Sequence, residues 1–247
     1  MKVLIITVAG SSTRFSRSIG KDCLKCIYYE NKFEDTLLYK TVYRDLSFDK
    51  YVIVGGYKFD ELERAVNTYF KPIRDKITLV NNEKFSDYGS GYSLYLGLKE
   101  IIGEDADEIV FAEGDLWVDD ESFSNVVNST KDVVTFSRDT IDARKSVVFY
   151  FDRNGYIHYL YDTAHDCLEI KEPFISVYNS GQIWKFKDMQ HLKDSFYGLQ
   201  AKDWQGTNLV FIQKYFGSMH IDEFQLTELK KWLNCNTVAD FRKIGEV

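Results

Sequence analysis

The chain has 247 residues, 45% of them hydrophobic and 28% charged, ordinary globular usage that accommodates one sizeable α/β unit with decorations. Its 38 acidic against 31 basic side chains leave a formal charge of −7, which excludes an extended basic surface for nucleic acid as the main activity but not a locally basic pocket. The first apolar run is six residues and none approaches the roughly 18 of a membrane span, so the expectation is a cytoplasmic protein, monomer or homodimer, with no nucleic-acid or membrane partner.

From the start, Val3-Leu4-Ile5-Ile6-Thr7-Val8 reads as a buried strand opening into the small-residue loop Ala9-Gly10-Ser11-Ser12-Thr13-Arg14. Small side chains let backbone N–H groups approach phosphate oxygens. Arg14 and either Lys21 or Lys25 supply cationic side chains to neutralise phosphate charge. The loop matches neither GxxxxGK[ST] nor GxGxxG.

Further apolar runs at 51–54, 77–80 and 109–112 read as strands, with helical spacing between them. Asp35-Thr36 starts one helix, Phe59, Leu62 and Val66 mark a second, and Ser90 is expected to cap a third whose inner face is Leu94, Leu98 and Ile101. Alternating strands and helices predict right-handed crossovers and a mainly parallel sheet, with ligands at the carboxyl ends of the strands. Ala9 to Arg14, Gly56-Tyr57 and Gly114-Asp115 fall there.

Beyond residue 130 the reading is strands at 133–136, 147–151, 156–161 and 175–178, with Asp152-Arg153-Asn154-Gly155 as a hairpin turn. Helices are expected near 188–199, 205–216 and 225–233, and a last short one from Thr237. Residues 1–247 are expected to form one domain, 1–130 as nucleotide-binding core and 131–247 as acceptor-side extension with C-terminal helices. Cys23 and Cys26 read as small buried residues of an early strand rather than as a metal or redox pair, because Cys167 and Cys235 stand singly. The histidines at 158, 165, 191 and 220 read as surface or core-edge residues.

Asp115, after Glu113-Gly114 at the end of an apolar strand, is placed to hold Mg2+ through one oxygen while phosphates and water complete the shell. Tyr88, Gly89, Ser90 and Ser93 precede and open a helix, and the glycines are read as a flexible stretch whose backbone can reach a base edge.

These segments jointly resemble the nucleotidyltransferases that activate sugar phosphates and small phospho-metabolites. The resemblance rests on Ala9 to Arg14, the lysine at 21 or 25, Gly56-Tyr57-Lys58, Gly114-Asp115 and the run Trp232 to Asp240, in that order. Val80 to Leu96 looks most like the CTP:phosphocholine and CTP:phosphonate cytidylyltransferase branch. The implied fold is three-layer α/β, Rossmann-like, with a mainly parallel sheet and a small antiparallel extension. The implied reaction transfers CMP from CTP to a small phosphate- or phosphonate-bearing acceptor, such as phosphocholine, 2-aminoethylphosphonate or phosphoglutamine, releasing pyrophosphate with Mg2+ as cofactor.

In that reading Arg14, Lys21 or Lys25 act on the triphosphate. Ala9, Gly10, Ser11, Ser12, Thr13, Gly56, Tyr57, Tyr88, Gly89, Ser90 and Ser93 bind the nucleotide, Tyr178, Asn179 and Ser180 either face the acceptor or belong to a core strand, and Asp115 and Asn236 hold the metal. Two positions depart from the family pattern: Ser12 replaces a glycine, and Asn236 stands where an aspartate is usual. A sugar-1-phosphate nucleotidyltransferase, a metal-dependent glycosyltransferase and a non-catalytic nucleotide-binding relative are the alternatives.

Overall fold

The structure is a computed structural model and describes residues 1–161 and 166–244. Val3, Leu4, Ile5 and Ile6 are fully buried on alternating faces, so β1 (Lys2–Thr7) lies at the centre of a sheet covered on both sides. There follow α1 (Thr13–Ile19), α2 (Leu37–Tyr43), β2 (Lys50–Gly55), α3 (Phe59–Tyr69), β3 (Ile77–Asn81), α4 (Ser90–Lys99) and β4 (Glu108–Glu113). The second half holds β5 (Leu116–Val118), α5 (Asp120–Val127), β6 (Val133–Ser137), β7 (Val148–Asp152), β8 (Ile157–Leu160), β9 (Phe174–Phe186), α6 (Met189–Tyr197), α7 (Leu209–Phe216), β10 (Gln225–Glu228), β11 (Trp232–Asn234) and α8 (Val238–Ile244).

The main sheet runs β10-β6-β9-β4-β1-β2-β3. β1 to β4 pair in parallel, β6 pairs in parallel with β10, and β9 runs antiparallel between β4 and β6. Helices α2, α3 and α5 bury Leu38, Leu62 and Phe123 against the face that holds Leu4 and Ile6. On the other face α4, α6 and α7 bury Leu94, Leu192 and Phe211 against Val3 and Ile5. This is the expected three-layer α/β fold with a mainly parallel sheet, and the antiparallel extension is the β7–β8 hairpin pairing with the first half of β9. The turn at Asp152 to Gly155 forms as read, with Gly155 at φ 82°. A smaller cluster of Phe15, Leu37, Cys235, Phe241 and Ile244 joins α1 to α8.

Four local expectations are corrected. Residues 225–233 are not helical: they supply β10 to the edge of β6 and β11 to β5, and strand pairing overrides the helix propensity of Glu228-Leu229-Lys230-Lys231. The stretch 205–216 is split into a 3-10 turn (Asp203–Gln205) and α7. Cys26 sits in a 3-10 turn (Lys25–Ile27), not a strand, although it is buried as expected. Gly89 rather than Ser90 is the N-cap of α4, because the Ser90 hydroxyl accepts from the Asn208 backbone N–H at 3.1 Å.

The strand expected at 175–178 continues to Phe186 as β9 and crosses into the middle of the sheet. Thr36 caps α2 as read, accepting from the Tyr39 N–H. His158 is half-buried beside Asp152, His191 contacts the Tyr215 carbonyl, and His165 lies outside the described residues. No helix among the described residues is long and apolar enough to cross a membrane.

Candidate active site

A cavity of about 350 Å³ opens above the carboxyl ends of β1 and β4. Its floor is Thr7, Val8 and Gly114, one wall is the loop Ala9 to Ser12, and the opposite wall is Asn82, Phe85 and Tyr88 with the start of α4. Open α/β sheets place ligands in this crevice because strand ends and loops converge there.

Ser12 takes the left-handed conformation at φ 54°, ψ 24°, as the residue before α1. A non-glycine residue held there carries about 1–3 kcal/mol of strain. The surrounding structure holds it, because the Ser12 hydroxyl accepts the Lys25 backbone N–H at 3.1 Å. Lys25 in turn extends its ammonium to Asp115 Oδ2 at 3.0 Å. The loop after β1 and the strand end after β4 are thereby joined by one lysine.

Gly114 has no room for a side chain: a Cβ there would lie 2.2 Å from Val8 Cγ1 and 2.8 Å from the Thr7 carbonyl. Its N–H donates to that same carbonyl, which draws the end of β4 onto β1 and presents Glu113 and Asp115 on either side of the contact. Asp115 Oδ1 is buried and receives no hydrogen bond. Glu113 accepts from Asn208 Nδ2 at 2.6 Å. Burial foremost, and the Asp115 charge after it, push the Glu113 carboxyl up to about 7, against the pull of Asn208 and Lys25.

At the start of α4, the glycine backbone is already engaged. The Gly89 N–H donates to the Gln205 carbonyl at 2.8 Å and the Gly91 N–H to the Gly206 carbonyl at 2.9 Å. A Cβ on Gly89 would lie 2.4 Å from the Gly206 oxygen. Close packing against residues 204–207, rather than freedom to reach a base, therefore requires glycine at 89. Beneath it, Asn82 donates to the Ser93 hydroxyl at 2.9 Å and its Oδ1 accepts from the Lys84 N–H.

Of the residues selected from sequence, the cavity gathers Ala9, Gly10, Ser11, Ser12, Lys25, Tyr88, Gly89, Ser90, Ser93 and Asp115. Thr13, Arg14, Lys21, Gly56, Tyr57, Asn236 and the segment Tyr178-Asn179-Ser180 lie outside its lining. Arg14 and Lys21 are exposed. The Tyr57 hydroxyl donates to Asp22, away from the cavity. Asn179 and Ser180 are buried within β9, and Tyr178 packs on Phe136 and Phe149. The Asn236 amide donates to Asn234 Oδ1 at 2.8 Å.

Sequence reasoning did not select Glu113, Asn82 or Asn208. The signal for Glu113 is its place at the strand end two residues before Asp115, and both line the cavity. Asn208 carried no local signal, since it reaches the site across 95 residues.

The fold is similar to that of solved nucleotidyltransferase structures. The inositol-1-phosphate CTP transferase from T. maritima superposes at a TM-score of 0.66 with 15% identity, covering 97% of this chain and 91% of that one. The CTP:phosphocholine cytidylyltransferase from Streptococcus pneumoniae superposes at 0.61 with 16% identity, over 99% of this chain and 98% of that one. HddC from Yersinia pseudotuberculosis, solved with GMP-PN, gives 0.60 with 14% identity, over 100% and 99% of the two chains. By sequence the chain belongs to the family described as a domain of unknown function, DUF6564, which matches residues 21–247. No curated protein matches it.

An oxygen donor set with one buried, unpartnered carboxylate oxygen suits a hard divalent cation. Among the described residues no group of three or more His, Cys, Asp or Glu side chains is gathered for a metal. A cation at Asp115 would therefore draw most of its shell from a ligand's phosphates and water, the usual arrangement for Mg2+ beside nucleotides.

Proposed function

We propose that this chain is a Mg2+-dependent nucleotidyltransferase that transfers CMP from CTP to a small phosphate- or phosphonate-bearing acceptor. The observation that carries the reading is the Lys25–Asp115 pair, at 3.0 Å, set beside the small-residue loop in one cavity at the strand ends. An acceptor oxygen attacks the α-phosphorus, the bond to the bridging oxygen of the β-phosphate breaks, and pyrophosphate leaves. The nucleophile is already an anion, so the protein's task is alignment and charge neutralisation rather than proton transfer.

Lys25, not Lys21, is assigned to the triphosphate, because its ammonium lies at the cavity and its backbone is tied to Ser12. The loop from Ala9 to Ser12 borders the phosphates, and Tyr88, Ser90 and Ser93 border the nucleoside. Asp115 would hold Mg2+, which screens phosphate charge when bound. Asn236 and Arg14 are not assigned to contacts in this cavity.

CTP as donor is supported by the activities of the two CTP-using proteins that share the fold. HddC, solved with GMP-PN, shows that the architecture alone does not select the base. A CTP-dependent reaction is in keeping with a cytoplasmic protein.

The test incubates the protein with each nucleoside triphosphate, Mg2+ and a panel of phospho-acceptors, measuring pyrophosphate and identifying the product by mass spectrometry. A CDP-linked product with stoichiometric pyrophosphate is expected. Nucleotide-sugar cleavage without pyrophosphate would instead indicate a glycosyltransferase, and nucleotide binding without turnover on any acceptor would indicate a non-catalytic relative.

A further inference from the structure

Two carboxylates, not one, border the cavity at the end of β4, and the backbone between them is fixed. Gly114 is clamped against Val8 and Thr7 with no space for a Cβ, and Glu113 and Asp115, which flank it in the chain, both line the cavity. Asp115 gives Oδ2 to Lys25 and keeps Oδ1 buried without a partner. Glu113 is steadied by Asn208, which arrives from the segment before α7 and also donates its backbone N–H to Ser90. One lysine at the cavity faces two carboxylates, leaving a negative charge unbalanced when both are ionised.

Among the described residues, the acidic side chain that follows β11 is committed elsewhere. Asp240 Oδ2 accepts from the backbone N–H groups of Asn236 and Thr237 at 3.1 and 2.8 Å and from the Thr237 hydroxyl at 2.8 Å, so it fastens the start of α8. Asn236 spends its amide on Asn234 and brings no charge. Among the described residues, the carboxylates lining this cavity are those of Glu113 and Asp115.

We propose that Glu113 is the second protein ligand of the divalent cation, so that Glu113 and Asp115, two residues apart on one strand end, form the metal seat. The proposal rests on the nucleotidyltransferase reading for the identity of the cavity. One or two carboxylates with phosphate and water oxygens are a sufficient set for Mg2+. Asn208 acts as a positioning residue that holds the Glu113 carboxylate toward the ion.

Mn2+ serves as the probe, its free concentration read by electron paramagnetic resonance with and without CTP in the absence of acceptor, and folding checked by thermal melting. Glu113→Gln and Asp115→Asn are each expected to weaken Mn2+ binding tenfold or more, while Asn236→Ala leaves it unchanged. Glu113→Asp, which keeps the charge on a shorter arm, is expected to shift the affinity at least threefold from wild type and decides the matter if Glu113→Gln does not fold. Affinity within twofold of wild type in the folded Glu113 variants, with Asp115→Asn weakened, overturns the proposal. Because no turnover is read, a protein that binds Mn2+ through both carboxylates but makes no pyrophosphate overturns the proposed activity and leaves this metal seat standing.

Discussion

The Ser12 hydroxyl accepts the Lys25 backbone N–H at 3.1 Å while Ser12 itself sits at φ 54°. Ser12 thus trades backbone ease for a bond that fixes the backbone of Lys25. A neutral hydrogen bond is worth about 0.5–1.5 kcal/mol net, and release of the left-handed strain by glycine is worth about 1 kcal/mol or more.

Those two magnitudes separate two substitutions. Ser12→Ala loses the bond and keeps the strain, so it is expected to lower unfolding free energy by about 1 kcal/mol. Ser12→Gly loses both, so its stability should stay within about 0.5 kcal/mol of wild type. Urea unfolding of the two variants measures the difference, and equal losses would show that the left-handed conformation carries no cost. Both variants should lower turnover, because Lys25 is released in each.

The lysines give the second prediction. Lys25→Ala removes the ammonium 3.0 Å from Asp115 and should reduce kcat on the order of 100-fold, the scale of one preorganised charge-stabilising donor. Lys21 is exposed and outside the cavity, so Lys21→Ala should change kcat less than about twofold. Pyrophosphate release under saturating CTP ranks them, and the opposite order would reassign the triphosphate contact.

The choice between Lys21 and Lys25 illustrates where sequence reading stops. Strand runs such as Val3 to Ile6 are legible because both faces of a central parallel strand must be apolar. Residues 20–25 form no regular element until the 3-10 turn at Lys25, so spacing could not say which lysine turns inward. That choice depends on the Ser12 hydroxyl, whose direction follows from a backbone angle that sequence does not show. Likewise β9 was read as ending near Tyr178, because Asn179, Ser180, Gly181 and Gln182 look like a loop. In the fold partners from elsewhere bond that stretch: Asn179 Nδ2 donates to the Ser137 hydroxyl at 3.3 Å, the Ser180 N–H to the Val147 carbonyl at 2.7 Å, and the Trp232 indole N–H to the Gly181 carbonyl at 2.9 Å. Polar residues can run through a buried strand when partners from elsewhere in the chain bond them.

Gly89 gives a third prediction. Its missing Cβ is where the Gly206 carbonyl lies, so Gly89→Ala must push back the segment that carries Asn208. Overpacking against backbone costs about 1–3 kcal/mol, and loss of the Asn208 bond would free Glu113. Thermal melting should show lower stability, and amide hydrogen exchange should rise at residues 203–208. An unchanged exchange pattern would mean the segment yields without consequence for the site.

The last prediction concerns acidity. Glu113 lies at about 7 in the folded chain against an ordinary 4.5, raised by burial first and by Asp115 second. A carboxyl whose pKa is higher in the folded state is favoured there in its protonated form, so the unfolded chain holds fewer protons between those two values. Its contribution is fully present below about 4.5 and is lost as pH climbs through about 7. With chelator present to remove divalent cations, the wild-type Tm should therefore fall from pH 5 to pH 8 relative to Glu113→Gln, whose neutral amide oxygen still accepts from Asn208. Carboxylates away from the cavity are untouched by the substitution, so the difference between the two curves reports Glu113 together with its interaction with Asp115. For a chain of this size each kcal/mol corresponds to about 2–4 °C, a shift resolved by differential scanning calorimetry. Parallel curves across that range would show that Glu113 is ionised at an ordinary pH, with its charge already balanced in the metal-free cavity.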